Sequence, residues 1–357
     1  MLRGKTIYCI VTGAHRTTTV AVFLNMLKEA HVRDIILMPT AAAEPLLDAQ
    51  TIPDDVVIRR TSNGNMQIPE EDIVVVAPCT FNTFSKIATG IADNYPMSIV
   101  HAAIGKKKPV IIAPSMGEQY WLHPVTASHR QTITSFGAEI IWPEYVYEDC
   151  ELAKITMAPW AKVFDSICHR YKTLRYLNRR DGDDDECRAL IAKAYPLFNQ
   201  CGSFLQQNDY TNATAGCLAM RTEDSKIIIT RTGAYLGNLG REDLTVILGH
   251  EDRVVRWNGA SEPSSEAPLI LDIFDMFPQV NVVIHGHCRD ITYSPLMTPY
   301  LSDEYLSYGK WDEAHKIYDM LKLRYFAIMK LHGEIVLGEN FDVAIALYYK
   351  KYLETRY

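Results

Sequence analysis

Short apolar runs alternate with stretches of helical apolar spacing along the first half of the chain. The apolar runs predict strands at 6–11, 34–38, 56–59, 73–77, 110–113 and 139–142. The stretches between them predict helices at 18–30, 84–92 and 123–136. Alternation of helices with nearly continuous Ile/Val strands is typical of a parallel sheet covered on both faces. We therefore expect a Rossmann-like, parallel-sheet α/β domain that binds ligands at the carboxyl ends of its strands.

A polar, charged segment separates this half from a second, less regular one. Residues 151–177 predict a long closing helix kinked at Pro159, and residues 178–186 predict a linker. The sequence thus predicts one domain at 1–177 and another at 187–357. In the second, helices are expected at 186–200, 267–276, 311–321 and 341–355, and strands at 216–221, 226–230, 244–248, 254–257, 280–285 and 326–331. This order predicts an α/β domain without a regular βαβ series.

Three histidines and a glutamate in the second half are candidates for a metal site. His285 and His287 end a predicted strand and, two residues apart, point to the same face. His332 follows another apolar strand, and Glu266 precedes a predicted helix. Three imidazoles suit a catalytic divalent metal with one open position, and a nearby carboxylate can transfer protons. The alternative is that these are ordinary histidines at strand ends.

Five ordered segments around these residues resemble motifs of the class II aldolase/adducin family. The segments are Thr214-Ala215-Gly216, 229–233, 262–266, 283–287 and 331–333. The resemblance implies that His285, His287 and His332 bind zinc or another divalent ion and that Glu266 is the catalytic proton shuttle. It also implies that Thr232, Gly233, Ser264 and Ser265 bind a phosphate or carboxylate of the substrate. Ser264 and Ser265 could equally begin the following helix. Cys217 stands where the family has an asparagine, so one donor to that anion is lost.

A second long motif lies in the first half, at residues 77–94. It is similar to a segment of the flavoproteins that include phosphopantothenoylcysteine decarboxylase and the lantibiotic cysteine decarboxylases. Loops at 11–14, 38–43 and 113–116 resemble other parts of the same family. The resemblance implies an FMN site formed by Gly13, Ala14, Thr40, Pro78, Thr80, Asn82, Thr83 and Met116. The alternative is a nucleotide-free sheet in which Asn82 caps the following helix.

Two departures from this second family bear on its chemistry. The catalytic histidine of the decarboxylases would fall near Met66, where this chain has none, and Gly117 replaces an asparagine that meets the substrate carboxylate. Oxidative decarboxylation of a cysteine is therefore not expected. A flavin could still serve redox chemistry or prenyl-transfer-like chemistry, or be a structural remnant.

Composition narrows the choice of partners and compartment. The net charge is −7 and no basic stripe stands out, so nucleic acid is not an expected partner. The eight cysteines form no CxxC pair and suit a reducing cytoplasm. The beginning of the sequence is not typical of a signal peptide, and no apolar stretch is long enough to span a membrane.

We expect a cytoplasmic, two-domain enzyme: an FMN-binding flavoprotein domain fused to a metal-dependent lyase of the class II aldolase type. The resemblance leaves the choice among aldolase, epimerase and dehydratase chemistry open. Its substrate would be small, hydroxylated and either phosphorylated or carboxylated. One alternative is a flavin-dependent decarboxylase or reductase with a structural aldolase-like half, and another is a non-catalytic interaction protein. The two resemblances also imply a homo-oligomer with three-fold or four-fold interfaces.

Overall fold

The computed structural model describes residues 2–48, 50–61, 69–148, 151–171, 174–211 and 214–356. The chain divides into two compact units, Met1–Tyr171 and Lys172–Tyr357. In the first unit, the strands are β1 (Thr6–Val11), β2 (Asp34–Pro39), β3 (Val57–Ile58), β4 (Ile73–Cys79), β5 (Val110–Pro114), β6 (Glu139–Ile140), β7 (Glu144–Glu148) and β8 (Glu151–Thr156). Its helices are α1 (Val20–Glu29), α2 (Phe81–Thr89), α3 (Tyr95–Gly105), α4 (Glu118–Trp121), α5 (Pro124–Ser135) and α6 (Trp160–Arg170).

The first unit is built on a six-stranded, all-parallel sheet in the order β3-β2-β1-β4-β5-β6. Tyr8 in β1 pairs with Ile36 in β2 on one side and with Val74 in β4 on the other. Strand order therefore reverses at β1, and the crevice beside such a reversal is the usual ligand site of an open α/β sheet. The predicted Rossmann-like fold is confirmed.

Residues 151–177 do not form the predicted long helix, and that prediction is wrong. Residues 151–156 form β8, which pairs antiparallel with β7 in a separate two-stranded sheet. Pro159 precedes the first turn of α6 in extended conformation instead of kinking a helix, and α6 ends at Arg170. Proline is tolerated at a helix start because the backbone N–H it lacks would have no partner there. Helix α3, at Tyr95–Gly105, was not predicted.

The second unit contains nine strands and five helices among its described residues. The strands are β9 (Leu177–Gly182), β10 (Cys217–Arg221), β11 (Ile227–Thr230), β12 (Leu244–Glu251), β13 (Val254–Gly259), β14 (Val282–Gly286), β15 (Leu301–Tyr305), β16 (Phe326–Lys330) and β17 (Gly333–Gly338). The helices are α7 (Asp185–Gln207), α8 (Ala267–Met276), α9 (Arg289–Thr292), α10 (Tyr318–Arg324) and α11 (Phe341–Glu354).

All nine strands form one sheet, in the order β15-β16-β17-β14-β10-β11-β12-β13-β9. One face packs on α7 and α11 and the other on α8 and α10, so alternate residues of each strand enter different cores. Strand β14 lies between β10 and β17, where His285 pairs with Cys217 and with Ile335. The candidate metal ligands thus begin on one of the most enclosed strands of the unit.

Residues 178–186 are not a linker but part of the second unit. Most of them belong to β9, which pairs in parallel with β13 at the edge of the sheet, and Asp184 caps α7 by accepting from the Cys187 N–H at 2.9 Å. Charged residues are common on edge strands, and here Asp181 forms an ion pair of 2.6 Å with Arg256.

The predicted helix at 311–321 is a 3₁₀ turn, Glu313–Ile317, followed by α10. Among the described residues, every helix is too short or too polar to span a lipid bilayer.

Candidate functional site

The three predicted metal-ligand histidines come from two neighbouring strands of the second unit. His285 is the fourth residue of β14, His287 follows that strand directly, and His332 lies in the tight turn between β16 and β17. One ring nitrogen from each lies within 4.8 Å of the others. The ring centroids are 4.6 Å apart for His285 and His287, and 5.0 Å apart for His285 and His332. The fold therefore brings together residues that are 47 positions apart in sequence (332 − 285).

Backbone carbonyls orient two of these rings. The Nδ1 of His285 lies 3.0 Å from the carbonyl oxygen of Glu334, and that of His332 lies 3.0 Å from the carbonyl oxygen of Leu306. A carbonyl oxygen can only accept, so both Nδ1 atoms carry the proton, and Nε2 of each neutral ring keeps its lone pair. This outer-shell hydrogen bond is the usual one behind a metal-ligating histidine. The donor set fits a divalent metal ion.

Glu266 lies against the same cluster. Its Oε1 atom is 3.3 Å from the Nε2 atom of His332, and its side chain is 7% exposed. In a neutral His332 ring, Nδ1 carries the proton and donates it to the Leu306 carbonyl. Nε2 then has no proton and faces the Glu266 carboxylate oxygen. Two acceptors at that distance need a shared cation, which is a proton or a metal ion. The predicted catalytic carboxylate and the predicted ligands are thus in one site.

Glycines allow the strands around His285 to approach closely. A Cβ on Gly333 would lie 3.0 Å from Cε1 of His285 and would overlap the carbonyl oxygen of Gly286. A Cβ on Gly216, where φ is +98°, would lie 2.9 Å from the carbonyl oxygen of His285. Both contacts explain why glycine stands beside the histidine motifs.

Ser264, one of the predicted anion ligands, is buried. It is 5% exposed, and its oxygen accepts the N–H of Glu266 at 3.2 Å. Burial raises the pKa of the adjacent Cys217 thiol to about 12, and hydrogen bonds from Ser264 and Thr230 oppose that rise. The Ser264 oxygen is therefore engaged as an acceptor within the protein, and its role in substrate binding stays a prediction.

The other predicted anion ligands lie on two adjoining loops. Residues 230–234 and 262–266 are joined by hydrogen bonds from Thr232 N–H to the Glu262 carbonyl at 3.2 Å and from Ser264 N–H to the Thr230 carbonyl at 3.0 Å. Thr232, Gly233 and Ser265 are all partly exposed, and Gly233 has a φ of +66°. These three residues can present donors to a ligand.

A buried carboxyl group behind the histidines was missed by sequence reasoning. Glu334 is 0% exposed, and burial raises the pKa of its carboxyl to about 7 although hydrogen bonds from Thr292 and Tyr348 lower it. The hydroxyl of Tyr348 lies 2.7 Å from Oε2 of Glu334. A glutamate directly after His332-Gly333, in an otherwise apolar strand, was the available signal.

In the first unit, the predicted flavin residues lie at the carboxyl ends of four neighbouring strands. Gly13 follows β1, Thr40 follows β2, Thr80 follows β4 and Met116 lies two residues after β5. Thr12 ties two of these ends together, since its hydroxyl donates to the Pro78 carbonyl at 2.8 Å and accepts from the Thr80 N–H at 3.0 Å.

The individual positions in this crevice differ in their access to a ligand. Pro78 and Thr83 are buried, while Gly13 and Asn82 are exposed, and Ala14, Thr40, Thr80 and Met116 are partly buried. A Cβ on Gly13 would lie 2.7 Å from Cβ of Ala42, so the first and second loops touch. The Thr40 hydroxyl is buried without a hydrogen-bond partner. An anion held by loop N–H groups and this hydroxyl fits such a crevice.

Aromatic side chains border the crevice on the β5 side. The rings of Phe81 and Tyr120 are stacked with centroids 5.0 Å apart. Gly117, which replaces the family asparagine, is exposed and precedes α4. The position near Met66, where the decarboxylases have their catalytic histidine, lies outside the described residues.

Two family models match the chain, each over just under half of its length. Residues 1–172 match the model described as Flavoprotein, and residues 198–354 match the Class II Aldolase and Adducin N-terminal domain. Both resemblances are therefore confirmed, and the chain is a fusion of a flavoprotein-type and a class II aldolase-type domain.

Curated relatives cover only parts of the chain. A phosphopantothenoylcysteine decarboxylase, HAL3a, from Glycine max is 32% identical over 123 residues, which is 31% of this chain and 58% of that protein. A 3-oxo-tetronate 4-phosphate decarboxylase from Haemophilus influenzae is 31% identical over 96 residues, which is 27% of this chain and 44% of that protein. The chain spans less than two thirds of the length of either relative.

Among solved structures, the FMN-binding protein AtHal3 is 21% identical, with a TM-score of 0.43. The match covers 48% of this chain and 98% of that one.

Proposed function

We propose that the second unit is a metal-dependent lyase of the class II aldolase type. The observation that carries this proposal is the convergence of three imidazoles, two of them oriented by carbonyl oxygens, with Glu266 beside them. His285, His287 and His332 would hold the ion. When bound, a divalent ion polarises a substrate oxygen and stabilises the charge that develops as a carbon–carbon bond breaks.

Glu266 is the proposed proton carrier. Its Oε1 atom is within 3.3 Å of a ligand ring, so a substrate carbon or hydroxyl held at the metal would be in its reach. Its backbone precedes α8, and its N–H is held by the Ser264 hydroxyl, which fixes the start of the side chain. A group that transfers a proton must first lie within hydrogen-bond reach of the proton, and its pKa matters only after that.

The substrate class follows from the adjoining loops. Thr232, Gly233 and Ser265, which are partly exposed, are the proposed donors to a phosphate or carboxylate. The Ser264 hydroxyl, whose oxygen accepts the Glu266 N–H, is proposed as a further donor. The relative from Haemophilus influenzae is named for a small phosphorylated keto acid and for breaking a carbon–carbon bond. We therefore propose a small hydroxylated substrate that carries one such anionic group.

The first unit is proposed to bind FMN. This assignment rests on the meeting of loops from four strand ends and on the buried, unpartnered Thr40 hydroxyl. Gly13, Ala14, Thr40, Thr80, Asn82 and Met116 are the residues that would line the site. Bound FMN supplies redox chemistry or an electron sink, and these residues would hold and orient it.

Metal content and the visible spectrum of one purified sample test both assignments. We expect about one divalent ion per chain, because the donor set has the ligand number of a catalytic site, together with a flavin absorption band. Flavin without metal would contradict the lyase proposal and move the chemistry to the first unit. Metal without flavin would contradict the FMN assignment alone.

Gly13→Ala tests the flavin crevice directly. The added Cβ would lie 2.7 Å from Cβ of Ala42 and 2.9 Å from its carbonyl oxygen, so the first two loops must separate. Overpacking of this kind costs about 1–3 kcal/mol, and FMN should bind roughly tenfold more weakly or worse. Fluorescence titration of apoprotein with FMN measures this. Gly105→Ala is the matched control, since a Cβ there meets nothing within 4 Å; equal affinities in the two variants would contradict the assignment.

A further inference from the structure

The glycine between His285 and His287 is explained by side chains from the C-terminal helix and from β17. A Cβ on Gly286 would overlap the hydroxyl of Tyr348, would lie 2.7 Å from its Cζ, and would lie 3.1 Å from Oε2 of Glu334. Tyr348 belongs to α11 and is 0% exposed, as is Glu334. A buried tyrosine and a buried carboxyl group therefore occupy the space that any other residue at position 286 would need.

Glu334 connects to the histidine segment through both its side chain and its backbone. Its Oε2 atom accepts the N–H of Cys288, the residue after His287, at 3.1 Å. Its carbonyl oxygen accepts from Nδ1 of His285 at 3.0 Å. The hydroxyls of Tyr348 and Thr292 also hydrogen-bond to its carboxyl group. One residue thus holds the ring of the first histidine and the backbone just beyond the second.

Tyr348 reaches the second histidine by another route. Its hydroxyl lies 3.2 Å from the carbonyl oxygen of Tyr210, and that oxygen also accepts the backbone N–H of His287 at 3.0 Å. The rings of Tyr348 and Tyr210 pack with centroids 4.8 Å apart. The segment from His285 to Cys288 is therefore bound on one side to Glu334 and on the other to the Tyr210 carbonyl, with the Tyr348 hydroxyl between them.

We infer that Glu334 and Tyr348 are positioning residues for the metal ligands His285 and His287. The inference rests on the proposed function, because it takes these histidines as ligands. Glycine at the centre of this segment gives its backbone little preference of its own for one geometry, so the surrounding contacts must help to fix that geometry. Fully buried hydrogen bonds can impose it, since breaking one leaves a buried polar group without a partner. Outer-shell partners of metal ligands typically contribute about 10–100-fold to metal affinity.

Tyr348→Phe is the main test, because it keeps the ring and removes only the hydroxyl. Binding of Co²⁺ to the full chain is measured by titration, and the visible absorption of the bound ion reports ligand geometry. We expect the Kd for Co²⁺ to rise about 10–100-fold and the absorption band to change shape. Tyr352→Phe is the matched control on the same helix, since the Tyr352 hydroxyl contacts Arg356 and not this network.

Two substitutions of Glu334 test whether its hydrogen bonds or its charge matter. Glu334→Gln removes the charge and keeps the hydrogen bonds, while Glu334→Leu removes both. A glutamine can place its oxygen toward Cys288 N–H and Tyr348 and its amide toward the Thr292 hydroxyl, which can also accept. Glutamine should therefore keep cobalt affinity within about threefold of wild type, while leucine should lose it by about 10-fold or more. If leucine prevents folding, the glutamine and Tyr348→Phe variants still decide.

Two outcomes would overturn the inference in distinguishable ways. Tyr348→Phe with the cobalt affinity and spectrum of Tyr352→Phe, in a wild type that binds the ion, would remove the positioning role alone. A wild type that binds no cobalt would remove the proposed metal site and this role with it.

Discussion

His285→Ala is expected to abolish tight binding of the divalent ion. His285 is 1% exposed and is the most deeply buried of the three ligands, with its ring fixed by the Glu334 carbonyl. Two histidines supply fewer ligands than the three of a catalytic divalent-metal site, and loss of a partner outside the ligand shell already costs about 10–100-fold. The affinity for Zn²⁺ or Co²⁺ should therefore fall more than about 100-fold. Metal analysis after dialysis and a competition titration measure the loss.

The matched control for this variant is His250→Ala. His250 belongs to the same unit but pairs with Asp275 at the surface, with Nε2 2.9 Å from a carboxylate oxygen. This variant should keep its metal. Circular dichroism and thermal melting of both variants separate loss of a ligand from loss of fold. A folded His285→Ala protein that still retains about one tightly bound ion per chain would show that the ion, if any, binds elsewhere.

The three clustered histidines could be picked out from sequence because their order and their flanking residues are local. His285-Gly286-His287 ends an apolar run, and His332-Gly333 ends another, so both are readable as strand ends that carry chemistry. The two histidine motifs meet because β14 and β17 are neighbours in the sheet. The apolar patterns of these strands do not predict that they pair. The family resemblance implied that the three histidines share one ion, but not which strands are neighbours.

The residues behind the ligands could not be predicted in this way. Glu334 and Tyr348 are 14 residues apart and meet only because α11 folds back over the end of β17. In sequence, a glutamate in a strand and a tyrosine in a helix are read as solvent-facing or as ordinary core residues. Only the lack of space around Gly286 shows that they share one small volume.

Local composition led to wrong secondary-structure predictions at residues 151–156 and 178–182. Residues 151–156 have a helix-compatible composition but pair with β7 instead, because strand pairing is a tertiary contact that propensity does not include. Residues 178–182 are charged enough for a linker, yet Trp257 and Arg256 on β13 supply partners for Asn178 and Asp181. Edge strands tolerate such charge, and a sequence pattern alone does not distinguish them from exposed loops.

Glu266→Gln is expected to keep the metal and to lose turnover. The substitution preserves the shape of a side chain that is 7% exposed, so the histidines should stay in place. It removes the group that can accept a proton, and general acid–base catalysis typically contributes about 10²–10⁴-fold to the rate. The kcat should fall by a factor in that range while KM changes little, since the anion is held by other residues. The assay uses the small phosphorylated or carboxylated aldol on which wild type is most active.

Glu262→Gln is the matched control, because Glu262 lies in the same segment but is exposed and four residues upstream. It should retain full activity and full metal content. A fully active Glu266→Gln enzyme would refute the proton-transfer role. Loss of metal in Glu266→Gln would instead indicate that Glu266 is itself a ligand. The 3.3 Å distance between its Oε1 atom and Nε2 of His332 would then be the distance between two ligand atoms. If Glu266 is a proton carrier beside a three-histidine site, the Glu266→Gln enzyme must keep its metal and lose turnover. Only this result assigns metal binding to the histidines and proton transfer to Glu266.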